Sequence, residues 1–141
     1  ILGMAFFAGA VFDKKVLAYC IPILAMLISD LYLGFHAGMP IIYFAICVCI
    51  LIGTFFHSKL NLTTSFLGIS AGVISFYLIS NFAVWYGSGI YSSDLNGIIT
   101  CYVMAIPFLQ NTFLSSILYG MSACILYILA DKHLKFSAKQ A

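Results

Sequence analysis

Asp30 is the only ionisable residue inside one of the chain's long apolar runs. An ionisable group at membrane depth is a functional candidate by default, because hydrocarbon disfavours its charge. It lies about two-thirds of the way along the run 16–35, after Ser29 and before Tyr32 and His36. Two roles are open for it: facing a polar cavity that opens on the outer side, or bonding a neighbouring helix or capping a broken one. A second concentration of polar groups runs through Asn81, Trp85, Tyr86, Tyr91, Asp94 and Asn96. It resumes beyond a short apolar segment at Gln110, Asn111 and Thr112. Tyr and Trp at this depth also suit the aromatic belt of a bilayer interface. Asn81 does not, since an amide inside a span needs a partner. Four residues separate it from Trp85, so the two share one helical face.

The same inventory gives no enzyme. A nucleophile needs a base and an orienting group, and a metal site needs clustered ligands. His36 is placed toward the outer face and His57 and His133 toward the inner, which keeps them from forming one site. Cys20, Cys47, Cys49, Cys101 and Cys124 lie in apolar stretches without the spacing of a zinc site or disulfide framework, and read as small buried hydrophobes. No phosphate-binding glycine loop is present. The expectation is no catalytic residue, no metal and no cofactor.

These residues must be positioned by membrane helices. Charged residues are 7% of the chain and hydrophobic ones 64%, too little polar material to clothe a globule in water. The net charge of +2, with no Arg at all, argues against a nucleic-acid surface. Crossing a bilayer takes roughly 20 apolar residues. The runs 1–12, 16–35, 41–56, 65–85 and 113–130 are therefore expected to span in one transmembrane domain over 1–141, an all-α bundle of five visible spans. The chain opens within an apolar run without a start methionine, and a sixth helix is expected before Ile1. The segment 97–109 is short and holds Pro107, which suits a re-entrant or interfacial piece. With it not crossing, Lys14, Lys15, Lys59 and the tail bearing Lys132, Lys135 and Lys139 share one face, cytoplasmic by the positive-inside rule.

Helices in lipid associate through small residues. Gly68 and Gly72 form a GxxxG pair, and Ser116, Gly120 and Cys124 repeat a small residue at every fourth position. Both series read as packing faces.

The blocks 29–36 (Ser-Asp-Leu-Tyr-Leu-Gly-Phe-His) and 81–85 (Asn-Phe-Ala-Val-Trp), with Gly97, Cys101-Tyr102, 105–108 and Asn111-Thr112, resemble those of an uncharacterised family of small bacterial inner-membrane proteins, described only as candidate transport proteins. The likeness covers about residues 5–129. That family is similar, more distantly, to the substrate-binding S components of energy-coupling-factor transporters. The resemblance implies a solute-binding protein that works with a coupling protein and an ATPase pair. On this reading Asp30, Asn81, Trp85, Tyr91, Tyr102 and Asn111 wall an outward pocket for a small molecule, with 97–109 as its lid or floor. The rival expectation is an accessory subunit that packs through Gly68, Gly72 and Gly120 into a larger membrane complex.

Overall fold

A computed structural model describes residues 1–35, 38–57 and 59–140, with side chains through His133. Six helices follow one another: α1 (Leu2–Val11), α2 (Lys15–Leu33), α3 (Met39–Phe55), α4 (Leu62–Gly87), α5 (Leu95–Met104) and α6 (Ile106–Gln140). There is no strand among the described residues. Three stretches are long and apolar enough to cross a membrane: Lys15–Leu33, Leu62–Gly87 and Ile106–His133. Leu2–Val11, Met39–Phe55 and Leu95–Met104 are shorter apolar helices. Most of the large exposed side chains are hydrophobic, among them Leu24, Ile28, Phe44, Leu67 and Leu126, a surface suited to lipid.

Local chemistry sets the helix ends. Gly34, at φ 99°, ends α2 in a conformation that other residues adopt only with strain. Pro40 occupies the first turn of α3, where its missing N–H costs nothing. Asn61 and Thr64 form a capping box at the start of α4, each side chain accepting the other's backbone N–H at 2.9 Å. Asp94 caps α5 by accepting from the Gly97 N–H at 2.8 Å.

A short helix holds the centre. α1 packs against α2, α3, α4 and α6, and seven of its ten residues are buried. Hydrophobic burial gains little between helices in lipid, so close backbone approach has to hold the bundle. Gly9 of α1 lies against Ile50 and Gly53 of α3, and Gly3 against Ser116 and Gly120 of α6. The Phe6 ring covers Gly68, and the Cys49 thiol lies over Gly72 and donates to its carbonyl at 3.3 Å. Gly68, Gly72, Ser116 and Gly120 are thus all buried in contacts within this chain. The expected packing surface through Gly68, Gly72 and Gly120 to another subunit is therefore already occupied internally.

Contacts along α1 fix the helix directions. The His57 ring bonds the Ala10 carbonyl through Nδ1 at 3.1 Å and approaches Asp13 through Nε2 at 3.3 Å. The loops bearing Lys14 and Lys59 accordingly lie at one end of the bundle. α6 runs parallel to α1, since Gly3 meets Gly120 and Phe7 meets Tyr127 with ring centroids 6.2 Å apart. Lys132 therefore lies toward that same end.

The segment 97–109, expected as one short piece, is divided at Ala105. Pro107 has no N–H to return to Val103, and the Ala105 N–H turns back to the carbonyls of Cys101 and Tyr102 at 3.2 Å each. Residues beyond the break belong to α6, which also takes in Gln110, Asn111 and Thr112. Both α5 and α6 run antiparallel to α4, as the pairs Trp85–Ser92, Asn81–Cys101 and Ile69–Gly120 show.

Candidate functional site

α4 carries the polar residues of the half remote from the lysines, and α5 descends beside it. Tyr77 donates from its hydroxyl to the Tyr102 carbonyl at 2.6 Å, and Tyr102 donates from its own to the Leu78 carbonyl at 2.7 Å. Their rings meet edge to face at 5.5 Å. These reciprocal bonds lock α5 onto α4 just above the Ala105 joint. Two turns further from the lysines, the Trp85 indole donates to the Ser92 carbonyl at 2.9 Å and ties down the loop before α5. That loop also holds Asp94. Its carboxyl is held below the ordinary carboxylate range by the Ser92 hydroxyl, at 2.5 Å, and by the Gly97 N–H.

Below these ties α4 parts from the α5–α6 joint around a cleft of about 140 Å³, lined by Val73, Phe76, Tyr77, Ser80, Asn81, Ala105, Phe108, Leu109 and Thr112. Asn81 donates through Nδ2 to the Tyr77 carbonyl at 2.8 Å, which orients the amide and leaves Oδ1 with no protein partner among the described residues. The Thr112 hydroxyl has none either. The cleft thus offers an acceptor on one wall and a donor–acceptor on the other, in otherwise apolar surroundings. A second opening of about 410 Å³ lies between the start of α3 and the end of α4, and Ser80 lines both.

The structure assembles some of the expected site residues and separates others. Asn81 lines the cleft; Tyr102 and Trp85 brace its surroundings through bonds to backbone carbonyls. Tyr91 is half-buried in the α4–α5 loop and lines neither opening. Asn111 is exposed; Thr112, one residue on, takes the place expected for it. The spacing carried the signal, because Phe108, Leu109 and Thr112 share one helical face and Asn111 turns away from it.

Asp30 does not join this group. It is 5% exposed and accepts a 2.7 Å hydrogen bond from the Tyr43 hydroxyl of α3. α2 packs only on α1 and α3 among the described residues, so no part of it reaches the wall formed by α4, α5 and α6. Of the two roles open for Asp30, the geometry gives the bond to a neighbouring helix. His36 lies outside the described residues.

No group of three or more His, Cys, Asp or Glu side chains able to hold a metal ion occurs among the described residues. No curated protein and no solved structure matches the chain. A family profile matches almost its full length, residues 1–138, and by that match the chain belongs to a family of unknown function (DUF6580).

Proposed function

We propose that this chain is a membrane-embedded, non-enzymatic binding protein for uptake of a small solute, working with separate energising subunits. The observation that carries the reading is the cleft at Asn81 and Thr112: two hydrogen-bonding groups at membrane depth without a protein partner among the described residues. Such groups are costly to leave unmet, and a bound molecule meets them. The likeness to S components of energy-coupling-factor transporters supports the choice of uptake and of a coupling protein with an ATPase pair as partners.

In this reading the chain crosses a bacterial inner membrane. α1, α2, α3 and α4 are four of the five visible spans, and α5 with α6 makes the fifth. The end bearing Lys14, Lys15, Lys59 and Lys132 faces the cytoplasm, as the positive-inside rule asks, and the cleft lies in the outer half. The alternative of an accessory subunit in a larger complex loses its main sequence support, because the glycines it called on pack inside the chain.

Purification from native membranes followed by native mass spectrometry tests the reading. The expected result is a bound small molecule that is lost in Asn81→Leu, together with a coupling protein and ATPase pair. A fixed stoichiometry within an unrelated complex, with no bound solute, would overturn it in favour of the accessory role.

A further inference from the structure

Granting the solute-binding reading, we infer that the cleft between α4 and the α5–α6 joint takes an uncharged, mostly apolar ring compound of roughly six to ten heavy atoms, bearing a hydrogen-bond donor for Asn81. The inference concerns the class of solute, on which the family match says nothing.

Size comes first. An engineered apolar cavity of about 150 Å³ holds benzene, and this cleft, at about 140 Å³, accommodates one ring. Ser80 lines both this cleft and the larger opening beside α3. Shape agrees, because Phe76, Tyr77 and Phe108 present aromatic rings, and aromatic pairs favour edge-on or offset contact with a planar guest.

Charge is excluded on both signs. Among the described residues no Asp, Glu, Lys, Arg or His lines either opening. The buried carboxylate of the chain, Asp30, is engaged by Tyr43 on helices that do not wall the cleft. An ion here would forfeit its hydration without gaining a counter-charge. A neutral guest loses little, and its donor finds the Asn81 Oδ1, whose orientation is fixed by the bond from Nδ2 to Tyr77. The Thr112 hydroxyl serves an acceptor on the same guest.

The test uses the full chain in lipid nanodiscs and three probes of nearly equal size: benzamide, benzoate and benzylammonium. Trp85 is the chain's only tryptophan and stands four residues from Asn81, so its emission reports the site without ambiguity. Ligand-observed NMR provides a second measurement. Benzamide should bind at least ten-fold more tightly than either ion. Thr112→Val, which keeps the side chain's shape, and Asn81→Leu should each weaken benzamide several-fold and leave toluene binding as it was. Equal or tighter binding of either ion, insensitivity of benzamide to both substitutions, or binding of no probe at all would overturn the neutral-ring assignment. A charged solute that co-purifies and is lost in Asn81→Leu would overturn the assignment of class and leave the solute-binding reading standing. Loss of both readings would show as no probe bound and no co-purifying solute.

Discussion

Replacing Gly53 by Ala and Gly72 by Ala should move stability in opposite directions, although both glycines are helical and sit at helix–helix contacts. A methyl at Gly53 would overlap the Phe6 carbonyl oxygen and stand 3.0 Å from the Ala10 nitrogen and 3.1 Å from the Gly9 Cα. Every one of these is a backbone atom, and none can rotate aside. α1 and α3 must separate, loosening Phe6, Ile46 and Ile50, all fully buried. Overpacking of this kind costs about 1–3 kcal/mol. Ala in place of a helical Gly returns about 0.5–1 kcal/mol, leaving a net loss of up to about 2.5 kcal/mol. At Gly72 the methyl would lie 3.4 Å from the Cys49 Sγ and 3.7 Å from its Cβ, ordinary contact distances against a side chain. Only the helix gain remains there, so Gly72→Ala should be neutral or stabilising by up to about 1 kcal/mol. Equilibrium unfolding in mixed micelles, titrated with SDS and followed by circular dichroism, reads both. A Gly53→Ala midpoint at or above wild type, or shifts of the same sign in the two variants, would refute the account of α1–α3 packing.

Tyr43→Phe strips Asp30 of its side-chain partner and should cost about 1–3 kcal/mol in the same assay, with Asp30→Leu in the Tyr43→Phe background recovering part of it; a neutral Tyr43→Phe would show that the pair does not stabilise the α2–α3 contact. His57→Ala frees the Ala10 carbonyl at the end of α1 and should cost about 0.5–1.5 kcal/mol. Asp13→Asn should cost less, since Asp13 is 94% exposed and exposed ion pairs contribute little; the reverse order would assign the clamp to charge. Asp94 has a lowered pKa, so its cap is intact above the ordinary carboxylate value of about 4 and is lost as pH falls through the lowered value. Trp85 emission should therefore change only in acid, and Asp94→Ala should reproduce that change at neutral pH; emission flat from neutral pH into strong acid would refute the coupling.

How much of this was legible beforehand differs between elements. α2, α3 and α4 lie within three residues of the expected runs, because Gly34, Pro40 and Asn61 punctuate long apolar stretches with defined turn and cap chemistry. α5 and α6 depart from the expected 97–109 and 113–130 for a physical reason. Gln110, Asn111 and Thr112 look like a loop in hydropathy, yet a helix tolerates three consecutive polar residues when they fall on different faces. The centrality of α1 was hidden too, since hydropathy is the same for a helix facing lipid and one buried among helices. For the site, sequence gave depth along the membrane normal and not the azimuth around the bundle. Asn81 and Tyr102 lie near one another because α4 and α5 are consecutive and packed. Asp30 was assigned to their company on depth alone, and its helix stands elsewhere in the bundle.

The burial of α1 also sets an order on biosynthesis. Gly3 leaves the ribosome ahead of the Gly120 it packs against, which follows roughly 6–23 s later at about 5–20 residues per second. During that interval α1 can meet α3 through Gly9 and Gly53, and then α4 through Phe6 and Gly68, but its face toward α6 stays open. The core is therefore the last part of the molecule to close, and truncation within α6 should send the whole chain to degradation without leaving a stable shorter bundle.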